Sequence, residues 1–174
     1  MTVDELKTYI RDVADFPKPG IMFKDITPLL RSPEALEAAC RHLSDPFRDA
    51  GVTAVAAIES RGFIFGSVVA SNLNAGFIPI RKPGKLPWTR RRHEYVLEYG
   101  SDALEIHDDA LTPNDVVLVI DDVLATGGTL AAATHLVRGF DAKIAGAATV
   151  IELEFLGGRA KLDGDVRVHS VLRY

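Results

Sequence analysis

Two apolar runs constrain this chain more than any other feature: VTAVAAI (52–58) and VVLVI (116–120). A strand with one wet face alternates apolar and polar residues. A run with no such alternation is buried on both faces, which calls for a parallel sheet covered by helices. FIPI (77–80), KIAGAATVIEL (143–153) and VRVHSVL (166–172) read as three further strands. Helices are predicted between them, over 62–76 and about 129–139. Upstream, Ser32-Pro33 opens a helix with a cap followed by proline, and Leu36, Ala39, Cys40, Leu43 and Phe47 line its apolar face. Val3, Leu6, Ile10 and Val13 share one helical stripe and predict a helix over 3–14, stopped by DFPKPG (15–20). Strands alternating with helices make this an α/β fold with a mostly parallel central sheet flanked by helices. A chain of 174 residues suits one domain, 1–174.

In such a sheet, ligands bind at the carboxyl ends of the strands. The segments 59–62, 81–93 and 121–129 all follow strands, so they are expected on one face. The stretch 81–93 (RKPGKLPWTRRRH) has no periodicity and reads as a long loop; EYVLEYG (94–100) and DALEIH (102–107) alternate around Gly100-Ser101 and predict a hairpin. From Ser60 to His93 there is no acidic residue and there are seven basic ones, although the whole chain carries −4. A cationic segment in an acidic protein points to a local anionic ligand, and the acidic total argues against a general nucleic-acid binder. Cys40 is the only cysteine, which excludes an internal disulfide framework and suits a reducing, cytoplasmic setting. The N-terminus is too acidic for a secretory signal, and no apolar run is long enough for a membrane span. His42, His93, His107, His135 and His169 show no ligand spacing, so no protein metal site is assigned.

The most informative segment is VVLVIDDVLATGGT (116–129). An apolar strand delivers Asp121 and Asp122, then a turn of small residues, then a helix start. Gly127 and Gly128 let backbone N–H groups converge on an anion, the helix dipole favours it, and Thr126 and Thr129 add hydroxyl donors. This is a phosphate cradle, with neither the lysine of a Walker loop nor the spacing of a dinucleotide fingerprint. The two carboxylates are acceptors only and repel phosphate, so their partners are ribose hydroxyls or magnesium-bound water. A sugar phosphate with free hydroxyls fits.

That string resembles the signature of the type I phosphoribosyltransferases, which use phosphoribosyl pyrophosphate (PRPP). FPKPGIMFKDITPLL (16–30), IESRGFIFG (58–66), IRKPGKLP (80–87), LEYGSDALEIH (97–107) and IELEFLGGRAKL (151–162) are similar to the adenine-specific branch of that family, so the likeness runs from about residue 15 to 162. One departure is WTRRRHEYV (88–96), whose three successive arginines are unusual there.

The resemblance implies the family fold, with a small N-terminal hood and a flexible hairpin loop, and a homodimer. It also implies a reaction in which PRPP and adenine give AMP and pyrophosphate, with Mg2+ arriving on PRPP rather than in a protein cage. It places the 5′-phosphate on Ala125, Thr126, Gly127, Gly128 and Thr129, the ribose on Asp121 and Asp122, and pyrophosphate on Glu59, Ser60, Arg61 and Gly62. Lys82, Lys85 and Tyr95 fall in the loop that closes over the reaction, and Glu98 matches a glutamate that handles the base's proton. Phe23 matches the ring stacked on the purine, beside Met22 and Lys24, whose backbone reads the base edge. Each assignment has a plain structural alternative: a core phenylalanine, solvated lysines, an outward strand carboxylate. Two other functions stay open, a noncatalytic PRPP-sensing regulator and a transferase for another purine. Regulators of that kind usually append a DNA-binding domain, and about 15 residues ahead of the matched blocks are too few for one.

Overall fold

A computed structural model describes residues 1–96 and 100–174. The chain opens with helix α1 (Val3–Lys7), started by a capping box in which Thr2 and Glu5 satisfy each other's backbone N–H groups. Strand β1 (Arg11–Val13) follows and pairs antiparallel with β2 (Phe23–Asp25). The helix expected over 3–14 is therefore one turn and a strand. Pairing with β2 gives residues 11–13 an alternative set of backbone hydrogen bonds, and the Lys24–Asp12 ion pair at 2.7 Å fastens it. Helix α2 (Thr27–Arg31) was not foreseen; α3 (Pro33–Ser44) was, and the Ser32 hydroxyl accepts from the Ala35 N–H. Phe47 lies beyond α3, in a 3-10 turn.

The remaining elements are β3 (Ala54–Ile58), α4 (Arg61–Asn72), β4 (Gly76–Ile80), β5 (Arg90–Val96), β6 (Ser101–His107), β7 (Val116–Leu124), α5 (Gly128–Arg138), β8 (Lys143–Glu152) and β9 (Val168–Arg173). Helix α4 stops before the expected 76, because Asn74 turns left-handed and Gly76 already belongs to β4. The central sheet has the order β4-β3-β7-β8-β9, every neighbour parallel. Its strands are continuous apolar runs because each face has its own core. On one side Val55, Ala57, Leu118 and Ile120 pack with Leu43, Phe47, Phe65 and Val69. On the other, Ala54, Ala56, Val117 and Val119 pack with Leu104, Ile106, Leu130 and Val137. Each fully buried Val, Leu, Ile or Phe side chain among these contributes about 1.5–3 kcal/mol.

The expected loop over 81–93 is shorter than the sequence reading. Residues 90–93 belong to β5, which pairs antiparallel with β6 in register from Arg90↔His107 to Val96↔Ser101. The arginine run lacks an apolar alternation, and its strand is held by side-chain partners instead. Arg90 pairs with the buried Glu105 at 3.0 Å, while Arg91 lies 3.8 Å over the Phe140 ring and donates to the Gly139 carbonyl beyond the end of α5.

Candidate active site

The carboxyl ends of β3 and β7 and the starts of α4 and α5 meet at a hollow of about 230 Å3, lined by Arg61, Asp121, Asp122 and residues 123–127, 129 and 130. Strand β7 outruns β3: its pairing with β3 ends at Ile120, while that with β8 continues to Leu124. This delivers Asp121 and Asp122 just past the point where the sheet's centre closes. Gly62, in the first turn of α4, lets that helix come this near. A Cβ there would lie 3.1 Å from the Ile120 carbonyl oxygen and 3.2 Å from Asp121 Oδ1.

The two carboxylates differ. Asp122 is buried, and its Oδ2 lies 2.6 Å from Arg61 Nε. Among the described residues no hydrogen-bond donor is well directed at that oxygen, so the contact is a charge pair with acceptor capacity left over. Asp121 Oδ1 accepts from the Asp122 N–H at 2.9 Å. Burial pushes the Asp121 carboxyl well above the usual range, and the Asp122 charge beside it adds to the rise. Burial also raises Asp122, against the pull of the Arg61 guanidinium. Carboxylates in this state gain from donors that a ligand brings. Ribose hydroxyls and the water shell of a magnesium ion both fit, and among the described residues no three His, Cys, Asp or Glu form a cage of their own.

Residues 125–129 turn tightly into α5. Gly127 has φ +83°, the left-handed region in which a side chain is strained, and caps the helix with no side-chain hydrogen bond. The first bond entering the helix runs from the Ala131 N–H to the Gly127 carbonyl, so the N–H groups before it have no acceptor within the helix. The turn is braced from behind by Gly158, which the sequence reading did not single out. A Cβ on Gly158 would lie 2.1 Å from the Ala125 carbonyl oxygen, and one on Gly127 would lie 2.1 Å from that of Gly158. The two backbones are in direct contact, which the unusual pair Gly157-Gly158 hinted at.

Residues 59–62 cross from β3 to α4. The Glu59 side chain turns away from the hollow: its carboxylate takes Arg81 Nε at 2.6 Å, Lys85 Nζ at 2.7 Å and the Lys82 N–H at 2.9 Å. Burial alone would raise it, but these donors outweigh burial and hold the carboxyl below its usual range. Glu59 thus anchors the 81–85 segment, and what the 59–62 turn offers an anion is its backbone and Arg61. A second buried carboxylate, Glu105, accepts from the Gly84 N–H and pairs with Arg90. Glu105 occupies a polar slot in ALEIH, so the sequence alone gave no sign of its burial.

Lys82 donates to the Tyr95 hydroxyl at 3.1 Å and pairs closely with Asp102; Tyr95 in turn lies 3.2 Å from Thr129 Oγ1. Phe23, on β2, faces Arg61 with 5.6 Å from ring centroid to guanidinium and packs edge-on against Phe16. Met22 is exposed, and the Lys24 ammonium turns to Asp12 and the Tyr174 ring, which leaves its backbone as the part available to a base. Glu98 lies outside the described residues. Phe23, Arg61, Asp122 and the 125–129 turn therefore form one connected line of contacts beside the carboxyl ends of β3 and β7. A roomier hollow of about 530 Å3 against α1 and α3 is lined by three carboxylates, Glu5, Glu34 and Glu37, against one guanidinium, Arg41, a balance that disfavours phosphate.

A model of the phosphoribosyl transferase domain matches residues 27–169. The chain is 54% identical over 172 residues to the adenine phosphoribosyltransferase of Nitrosococcus oceani, covering 99% of this chain and 100% of that one. It superposes on the adenine phosphoribosyltransferase of Rhodothermus marinus with a TM-score of 0.94 at 50% identity, covering 99% and 98% of the two chains. It is similar as well to the Saccharomyces cerevisiae enzyme solved with adenine and an imino-altritol bisphosphate, with a TM-score of 0.90 at 39% identity and 97% of each chain covered.

Proposed function

The chain belongs to the phosphoribosyl transferase family, and from that premise we propose the full reaction: transfer of the 5-phosphoribosyl group from PRPP to N9 of adenine, giving AMP and pyrophosphate in purine salvage. The observation that carries it is the line from Phe23 through Arg61 and Asp122 to the 125–129 turn. It offers, in order, a face for a base, a cation for a leaving pyrophosphate, acceptors for a ribose and donors for a phosphate.

Displacement at the anomeric carbon passes through a cationic sugar, so catalysis means holding two reactants in line and stabilising the departing charge. The N–H groups of the 125–129 turn and the Thr126 and Thr129 hydroxyls fix the 5′-phosphate. Asp121 and Asp122 take the ribose hydroxyls, and both carboxyl groups sit beside a ring that becomes positive. Arg61 is half-exposed and tethered to Asp122 at 2.6 Å, so it moves from its carboxylate to the pyrophosphate without leaving the site. Lys82 and Lys85 add charge to the pyrophosphate once their segment closes. Asp121 and Asp122 would accept from the water shell of a magnesium ion carried in on PRPP, which would supply further neutralisation of that leaving group. The base stacks on Phe23, its edge reads the backbone at Met22 and Lys24, and Glu98 takes the proton that N9 releases. The working unit is a homodimer in the cytoplasm; among the described residues no helix is long and apolar enough to cross a membrane.

The test is kcat/KM for adenine, hypoxanthine and guanine with PRPP and magnesium, in the wild type and in Phe23→Ala. A site that accepts from an amino group leaves two acceptors opposed when a keto purine enters, so adenine should be preferred by about a hundredfold or more. Phe23→Ala should weaken all three bases and leave their ratio nearly unchanged, because every purine has a similar face. Comparable wild-type values for adenine and hypoxanthine would overturn the adenine assignment.

A further inference from the structure

Asp102 belongs to none of the groups that the reaction uses, yet two of them, Lys82 and Tyr95, converge on it. It stands directly opposite Tyr95 across the β5–β6 ladder. Its Oδ2 receives Lys82 Nζ and lies 3.3 Å from the Tyr95 hydroxyl, and its Oδ1 accepts from its neighbour's N–H at 2.8 Å. Lys82 also donates to Tyr95, and Tyr95 meets Thr129 in the phosphate turn. A count of protons gives the direction of these bonds. Each hydroxyl has one hydrogen. The Tyr95 oxygen already accepts from Lys82, and its own hydrogen goes to the anionic Asp102, the stronger acceptor. The Thr129 hydrogen is then committed to Tyr95 and withheld from a phosphate.

We infer that Asp102 is a positioning residue that acts as a latch beside the phosphate turn: it parks Lys82 on the hairpin, holds Tyr95 against Thr129, and is released when PRPP claims the Thr129 hydroxyl and the Lys82 charge. This rests on the reading of 125–129 as the phosphate cradle. Any ligand that must break a resting contact binds more weakly by the cost of breaking it, so removing the latch tightens apparent binding. A residue that merely stabilised the fold would act with the opposite sign.

The test is Asp102→Asn, which keeps the shape and removes the charge that holds Lys82. The KM for PRPP should fall about three- to tenfold with kcat within about twofold of wild type. In the ligand-free protein, trypsin cleavage between Lys85 and Arg92 should quicken by about the same factor, as the hairpin is held less firmly on α5. Asp102→Glu should restore both values. Lys82→Met severs the same pair from its other side and should also quicken cleavage; Lys82 precedes a proline, so its loss removes no cutting site. An unchanged or raised KM for PRPP, or an unchanged cleavage rate in both variants, would overturn the latch. The cleavage arm uses no substrate. A wild type that made no AMP would therefore defeat the proposed reaction and leave the latch to be judged by proteolysis.

Discussion

Gly158→Ala should damage PRPP binding although residue 158 faces no ligand. The added Cβ would sit 2.1 Å from the Ala125 carbonyl oxygen, 2.9 Å from the Gly127 nitrogen and 3.0 Å from Leu124 Cδ1, where ordinary contact begins at 3.4 Å. More than 1 Å must be found, and the 158 side is poorly placed to yield it. Arg159, the next residue, forks onto Glu152 at 2.5 and 2.6 Å and donates to the Val168 carbonyl at 2.8 Å. The Leu153 N–H is bonded to the Leu124 carbonyl at 2.9 Å. The displacement therefore falls on residues 125–127, whose N–H groups form the cradle. Overpacking of this kind costs about 1–3 kcal/mol, or roughly 2–4 °C of Tm per kcal/mol in a chain of this size, so the variant stays folded. A misplacement of about 1 Å in a positioning element costs on the order of a hundredfold. Steady-state kinetics should show the KM for PRPP rising by that order while the KM for adenine changes little. Two neighbouring glycines are the controls. Gly157 has φ +63° with no described residue within 4 Å of its Cβ site, so Gly157→Ala should lower Tm with little effect on PRPP; Gly164→Ala meets no described residue and should be nearly neutral in both. A Gly158→Ala enzyme with a wild-type KM for PRPP would refute the brace.

Asp121→Asn combined with Asp122→Asn should lower kcat/KM by orders of magnitude without lowering Tm, because it also removes two carboxylates that burial pushes up, Asp121 further raised by the Asp122 charge; near-normal kcat/KM would sink the ribose assignment. Glu152 behaves oppositely: burial raises it, but Arg159, Ser170 and Arg173 outweigh burial and hold it below its ordinary value of 4.5. Its folded-state value is depressed, so its contribution is complete above the ordinary value and is lost as pH falls through the lowered one. Glu152→Gln should therefore cost about 1–3 kcal/mol at pH 7, discounted because Arg159 is a third exposed, and should flatten the fall of Tm below pH 4.5; an unchanged acid limb would refute this.

The parts of the fold legible in the sequence are those in which local pattern and tertiary burial agree. VTAVAAI and VVLVI look like two-sided strands, and both faces of the sheet are covered. Ser32-Pro33 looks like a helix start, and the cap is made. The failures occur where the two disagree. Residues 11–13 keep a helical apolar stripe, yet pairing with β2 wins, because a five-residue helix gains little from one more turn while the strand pair adds a ladder and an ion pair. The 90–93 stretch has no strand pattern because Glu105, Phe140 and the end of α5 hold its arginines individually. Such partners lie 15 to 49 positions away and leave no local periodicity.

The site divides along the same line. Chemistry concentrated in a contiguous string is readable: Asp121, Asp122 and the 125–129 turn need one another at fixed spacing because a strand end, a turn and a helix start are consecutive in the chain. Chemistry assembled by long-range support is not. Glu59 shows the difference. Its place in ESRG suggested a hand on the pyrophosphate, whereas its carboxylate is spent on Arg81, Lys82 and Lys85. That choice follows from charge: a buried anion beside a phosphate site raises the energy of the ligand it faces, but the same anion turned to the 81–85 segment anchors the cations that the ligand later needs. Glu105 does the same for Gly84 and Arg90. Two buried carboxylates thus set the resting position of the basic segment, and a third, Asp102, sets that of Lys82. Internal anions thus answer the positive charge of this segment: Glu59 takes Arg81 and Lys85, Glu105 takes Arg90, and Asp102 takes Lys82.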